Sequence, residues 1–207
     1  MHSIRTSFML LVCFVVVTGI AFPLAVYVCA QALFPMQANG SLLKRSDGTI
    51  IGSSLIGQRF SQSSYFHPRP SVAGGGYDGS SSAGTNLGPT SSKLIQGIGD
   101  DPATADVNEA FSGLKALAES YRAQNRLPPD TALPADAITH SASGLDPDIS
   151  PANAALQARR VAEARKISEA EVAKLIRQHT RPRFVGIFGE PRVNVLELNL
   201  ALDSGKG

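Results

Sequence analysis

Between Phe8 and Phe34 the chain reads FMLLVCFVVVTGIAFPLAVYVCAQALF, without one charged side chain. An α-helix needs about 20 apolar residues to cross the hydrocarbon core of a bilayer, so this run is long enough to cross with some tilt. It is apolar all round, unlike a helix that lays one face on a core. Thr18 and Gln31 are its polar residues, and a threonine hydroxyl can bond back to its own helix. Pro23 lies mid-run, where it predicts a kink. A cleaved signal peptide is the competing reading, because Ala30-Gln31-Ala32 resembles a cleavage site. A signal's apolar region runs only about 7–15 residues, however. The expected plan is a short tail at 1–7, a transmembrane helix at 8–34 and one soluble domain at 35–207.

That soluble part is long enough for a single domain with a core of its own. The whole chain carries 19 Lys+Arg against 17 Asp+Glu, a net charge of +2. With no basic block, this is not the footprint of a nucleic-acid binder. Both cysteines, Cys13 and Cys29, fall in the apolar run. On a helix they stand about 24 Å apart, too far to bond. The soluble domain therefore has no disulfide, thiolate metal site or cysteine nucleophile. Arg5 before the run and Lys44 and Arg45 after it lean slightly towards a cytoplasmic domain. Long domains translocate largely regardless of such counts, so charge leaves the orientation open.

Ser41 to Arg59 reads as a β-hairpin around Asp47-Gly48, with Gly52 and Gly57 as bulge or bend positions. Residues 60–90 form a long irregular stretch, either a Gly/Ser linker or a folded loop that lays side chains on a partner. Tyr65, Phe66 and Arg69 are residue types that anchor interfaces. A helix is expected from Pro102 to Arg126, strained near Gly113, with Val107, Phe111, Leu114, Leu117 and Tyr121 on one face. Ile138 fits a short strand. Ser150 is an N-cap and Pro151 the first residue of a helix to about Lys166. That helix should bury Leu156 and Val161 and leave Arg159, Arg160, Glu163 and Arg165 mostly solvated. Ser168 and Glu171 form a capping box for a helix to about His179. Phe184–Phe188 and Val193–Leu202 are expected as terminal strands, giving an α+β domain.

Catalytic signatures are missing: no phosphate loop, no dinucleotide fingerprint, no H-E-x-x-H and no G-x-S-x-G. His2, His67, His140 and His179 make no metal-ligand spacing, and Asp146 and Asp148 lack the other ligands of a calcium loop. Ser143-Gly144 could form a backbone nest for an anion. A hydrolase triad of His67 or His140 with Ser143 and Asp146 is conceivable only if the fold brings them together.

A larger pattern runs through the chain. Ser54-Leu55-Ile56-Gly57-Gln58 leads to Tyr65-Phe66-His67-Pro68-Arg69-Pro70-Ser71, then Asn86-Leu87-Gly88-Pro89. Ser143-Gly144-Leu145-Asp146-Pro147-Asp148 to Pro151, Gln157, Arg160 to Arg165 and Gly189-Glu190-Pro191-Arg192-Val193-Asn194-Val195-Leu196 follow in order. In this it resembles the KdpC subunit family of bacterial potassium-transporting P-type ATPases. The family's His-Gly-Arg-Pro-Ser stands here as His67-Pro68-Arg69-Pro70-Ser71, which changes the local turn. The resemblance implies an inner-membrane, single-span accessory subunit with a cytoplasmic N-terminus and an extracytoplasmic domain. Its implied partners are a P-type catalytic subunit, a potassium-selecting channel-like subunit and a small hydrophobic subunit. ATP and potassium are then handled by the complex, with no cofactor held tightly by this chain. Its implied role is to stabilise the assembly and support ATP binding by the catalytic subunit; a cap on the potassium-selecting subunit is the alternative. Tyr65, Phe66, Arg69, Pro70, Asn86 and Asp146 are the expected partner contacts. Ser143, Gly144 and Gln157 are the candidates for touching nucleotide.

Overall fold

The computed structural model describes residues 2–45, 47–98 and 111–205. The chain forms two compact units, Met1–Ser53 and Ser54–Gly207.

The first unit is dominated by an apolar helix, Ser3–Leu33, long enough to cross a membrane. It comprises α1 (His2–Val16), a π-helical turn (Val17–Ala21) and α2 (Phe22–Leu33). Pro23 explains the wide turn. Its ring has no N–H to give and crowds the carbonyl four residues back, and the ladder adapts by one π-turn in which Phe22 N–H reaches Val17 O. The hydroxyl of Thr18 donates to Phe14 O at 2.7 Å. A short α3 (Pro35–Ala38) follows, then a hairpin of β1 (Leu42–Lys44) and β2 (Ile50–Ser53). The pairing is antiparallel, with Leu43 opposite Gly52, and the register slips between Leu43 and Lys44. The connection is longer than the two-residue turn expected: Arg45 N–H donates to Thr49 O, Gly48 N–H returns to Arg45 O, and Asp47 Oδ1 accepts Thr49 N–H.

The second unit is an α+β domain. Its elements are α4 (Ser92–Gln96), α5 (Leu114–Asn125), α6 (Ala135–Ile138), β3 (Asp148–Ile149), α7 (Pro151–Arg165), α8 (Glu169–His179), β4 (Thr180–Arg181), β5 (Arg192–Asn194) and α9 (Val195–Ser204). The sheet is antiparallel in the order β3-β5-β4. The α7 cap is Ser150, whose hydroxyl accepts Asn153 N–H. Ser168 and Glu171 close the expected capping box of α8. Val161 and Ala162 of α7, Val172 and Ile176 of α8, Val193 of β5 and Leu198 of α9 meet in one core.

Four local expectations are corrected. Ile138 ends the short helix α6 instead of lying in a strand. Strand β5 stops at Asn194, and Val195–Ser204 is helical. Asn194 caps that helix by accepting Glu197 N–H, so Val195, Leu198 and Leu202 fall on one buried face. Phe184 and Phe188 pair across a tight turn as an isolated bridge. Of the helix expected over 102–126, the part at 102–110, with Val107, lies outside the described residues, and the described helix begins at Leu114. Its N-cap is Gly113, where a Cβ would stand 2.2 Å from Gly97 N. Only glycine allows that approach of two backbones.

Candidate functional site

The segment Ser63–His67 crosses α7 and α9 and is gripped there by side chains. Asn199 of α9 pairs with both backbone groups of Phe66: Phe66 N–H donates to Oδ1 at 2.8 Å, and Nδ2 donates to Phe66 O at 3.0 Å. Gln157 of α7 treats His67 the same way, accepting its N–H at 2.7 Å and donating to its carbonyl at 3.0 Å. Two primary amides thus stand in for a neighbouring strand. Both are about 1% exposed, where an unpaired backbone group would be costly.

Behind this clamp lies a polar network along the inner face of α7, at positions 153, 157 and 160. Asn153 Nδ2 donates to Asp136 Oδ2, and its Oδ1 accepts from Gln157 Nε2 and Tyr121 Oη. Asp136 also accepts the N–H and hydroxyl of Ser150. Arg160 was expected among the solvated residues and is 6% exposed instead. Its guanidinium donates to Asn125 Oδ1, to the carbonyls of Ser63 and Tyr65 and to Gln157 Oε1. These partners are neutral, and burial pulls its pKa down to about 10.

Arg165 corrects the same expectation. Its side chain is 3% exposed and donates to Ser64 O, Leu202 O and Asp203 Oδ1. It also lies 4.8 Å above the Tyr65 ring. Nothing local marks Arg160 or Arg165 as buried, because the carbonyls they satisfy arrive from about a hundred residues away in sequence.

Beyond the clamp, Arg69 reaches the Asp146 turn. Its Nη1 pairs with Asp146 Oδ2 at 2.8 Å, while Nε and Nη2 donate to Thr139 O, Thr139 Oγ1 and His140 O. Ser71 Oγ donates to Gly144 O, and Tyr77 Oη donates to Arg69 O. The stretch read as linker or folded loop is therefore folded from Ser63 to Tyr77.

The sequence-derived candidates now have addresses. Phe66 is wholly buried in the core, so its side chain does not reach a partner. Tyr65 is half-buried, its hydroxyl donating to Asp203 Oδ2. Arg69 and Asp146 join each other, and Pro70 beside them is half-buried. Asn86 stands apart, exposed, in the left-handed region at φ 54°. Ser143 is exposed, but its hydroxyl accepts Leu145 N–H and its carbonyl accepts from Ala83 N–H and Ser82 Oγ. Gly144 is buried at φ 69°, and a Cβ there would lie 2.5 Å from Ala83 O. Gln157 is committed to the clamp. The imagined triad does not assemble: His67 Nε2 faces Gln62 O and Arg160, His140 Nδ1 bonds to neither Ser143 nor Asp146, Asp146 holds Arg69, and Ser143 Oγ accepts Leu145 N–H in its own turn. Among the described residues no group of three His, Cys, Asp or Glu side chains could hold a metal ion.

Sequence reasoning passed over a surface feature. Phe184, Val185, Ile187 and Phe188 crown the turn before β5, each about two-thirds or more exposed. The neighbouring arginines are spent on ion pairs, Arg181 with Glu197 and Arg183 with Glu190. The run of exposed apolar residues around Gly186 was the available signal.

An apolar helix long enough to span a bilayer is followed in sequence by a domain that spends its buried polar groups on fixing a loop. The comparisons place a chain of this plan among the subunits of a membrane transport complex. Residues 4–204 match the family described as KdpC, K+-transporting ATPase, c chain. The potassium-transporting ATPase KdpC subunit of Mycobacterium bovis (strain BCG / Pasteur 1173P2) is 51% identical over 194 residues, covering 94% of each chain. That of Caulobacter vibrioides (strain NA1000 / CB15N) is 51% identical over 191 residues, 92% of this chain and 87% of the relative. That of Gemmatimonas aurantiaca is 48% identical over 205 residues, 99% and 94% of the two chains. The chain belongs to the KdpC family of potassium-transporting ATPase subunits.

Proposed function

We propose that this chain is a single-span accessory subunit of an ATP-driven potassium uptake complex of the inner membrane, its domain extracytoplasmic, with no catalytic site of its own. Its partners are the P-type catalytic subunit, the potassium-selecting subunit and a small hydrophobic subunit. It supports ATP use by stabilising the assembly rather than by touching nucleotide. One observation carries this reading: the clamp that fixes Ser63–His67 consumes the polar atoms of Gln157, and the turn consumes those of Ser143 and Gly144. The residues best placed by sequence to meet a nucleotide are thus spent on holding the domain's shape. A coupling of this kind typically shifts a partner's affinity by about 1–3 kcal/mol.

The test is the side of the membrane on which the domain lies. Cys13 and Cys29 are replaced by alanine, Ser204→Cys is introduced at the exposed end of α9, and intact cells are treated with an impermeant thiol reagent. Labelling in intact cells supports the reading. Protection that is lost on lysis would place the domain beside ATP and overturn it in favour of direct nucleotide contact.

A further inference from the structure

A cleft of about 670 Å³ opens beside the clamp, and Arg59, His67, Arg69, Tyr121, His140 and Arg160 contribute to its walls. No described residue that lines it is Asp or Glu. Arg69 is neutralised by Asp146. Arg59 and Arg160 have no carboxylate partner among the described residues. Arg59 is exposed at the rim and, among the described residues, is held only by a 3.4 Å bond to Gly75 O. A guanidinium has five N–H donors; the four described acceptors of Arg160 leave one on Nη2. His140 Nδ1 is buried with no hydrogen-bond partner among the described residues. A buried nitrogen without a partner is uncommon enough to need an explanation.

Each of these features lacks the same thing, an acceptor carrying negative charge. We propose that the cleft binds a phosphate-sized oxyanion, held by Arg59 and Arg160 beside the His140 ring. The ligand is free phosphate or the phosphate of a lipid headgroup; the two share this chemistry. Charge-assisted hydrogen bonds of this kind are stronger than neutral ones. The proposal goes beyond the accessory role above and depends on no side of the membrane. Burial holds the pKa of His67 and His140 below the ordinary histidine value, and a bound anion would oppose that and raise both.

The experiment uses the full chain in detergent micelles. Inorganic phosphate is titrated against chloride at constant ionic strength, and the imidazole proton signals of His67 and His140 are followed by NMR. Saturable shifts are expected, with the His140 midpoint moving to higher pH in phosphate. Arg59→Ala should weaken binding about tenfold, the loss of one charge-assisted contact. Arg159→Ala, on the solvated side of α7, should leave it unchanged. Dihexanoyl phosphatidic acid is the second probe. Tighter binding than phosphate, with phosphate competing, assigns the site to a lipid headgroup; equal binding assigns it to the free ion. Three outcomes overturn the proposal: no saturable shift with either probe, wild-type affinity in both Arg59→Ala and His140→Gln, or binding that emerges only once Asp100, Asp101, Asp106 and Glu109 are neutralised. The last would make the charge partner the chain's own.

Discussion

Replacing Gln157 by alanine separates the two roles open to that side chain. In the fold its Oε1 accepts His67 N–H at 2.7 Å and Arg160 Nη2 at 2.8 Å, and its Nε2 donates to His67 O at 3.0 Å and Asn153 Oδ1 at 2.8 Å. Truncation strands both backbone groups of His67, and each costs about 1–2 kcal/mol, the lower part of the usual range, because His67 keeps partial exposure. The total is about 3 kcal/mol, and for a domain of this size that lowers Tm by about 6–12 °C. Differential scanning calorimetry of the full chain in detergent micelles reads it directly. Arg159→Ala is the control, since that side chain is 63% exposed and an exposed pair is worth about 1 kcal/mol or less. A nucleotide-contact role makes the opposite forecast: unchanged Tm and weaker apparent ATP affinity in the assembled complex. A Tm shift below about 2 °C for Gln157→Ala would refute the clamp.

Asn199→Ala should cost at least as much, because the backbone groups it strands on Phe66 are fully buried; protease sensitivity appearing between Ser61 and Pro68 would report the released loop. Gly144→Ala should destabilise by about 2 kcal/mol or more, since it adds left-handed strain to a collision with Ala83 O, and calorimetry showing a native Tm would count against it. Stability should also fall in mild acid. Folded pKa values of His67 and His140 lie below the unfolded one, so stability is complete above about pH 6.5 and declines as pH drops from there towards the folded values. A Tm that holds steady between about pH 7.5 and 5.5 argues against buried neutral imidazoles. Phe184→Ser with Ile187→Ser should leave Tm within about 2–4 °C, since each exposed change is worth about 0.5 kcal/mol or less; a larger drop in a melting scan would mean that the turn packs against something.

The parts of the fold written in neighbouring residues were legible. Ser150-Pro151 and the Ser168–Glu171 box placed the starts of α7 and α8, because a cap is a contact across three residues. The failure at α9 has a specific cause. Leu196, Leu198, Leu200 and Leu202 alternate like a strand, yet Asn194 three before Glu197 is itself a cap signal, and it outweighs the alternation. The candidate site was legible only as a place. Its stretch of aromatic and arginine residues stood out, but which face of each would point inward did not. Phe66 went to the core, while Arg160 and Arg165 went under the loop. Their burial depends on carbonyls far away in sequence, and no local window contains both halves of such a bond.

That non-local pattern bears on what the clamp is for. Apolar packing alone would hold Ser63–His67 near α7 without fixing its register, because burial is non-directional. Amides that pair with both groups of one residue tolerate no slip, since moving the chain by one position strands four backbone groups at once, those of Phe66 fully buried and those of His67 partly so. A domain that needed only stability could obtain it more simply from leucines. One that must present Arg69 and its neighbours to another subunit in a fixed place gains from the directional solution. Interior and surface variants should therefore behave differently. Changes at Gln157, Asn199 and Arg160 should lower Tm first and assembly second. Changes at exposed Asn86, or at Phe184 and Ile187, should leave Tm alone and act, if they act, only on recovery of the complex. Parallel loss of both properties at an exposed position would mean that shape and contact are not divided between interior and surface in this way.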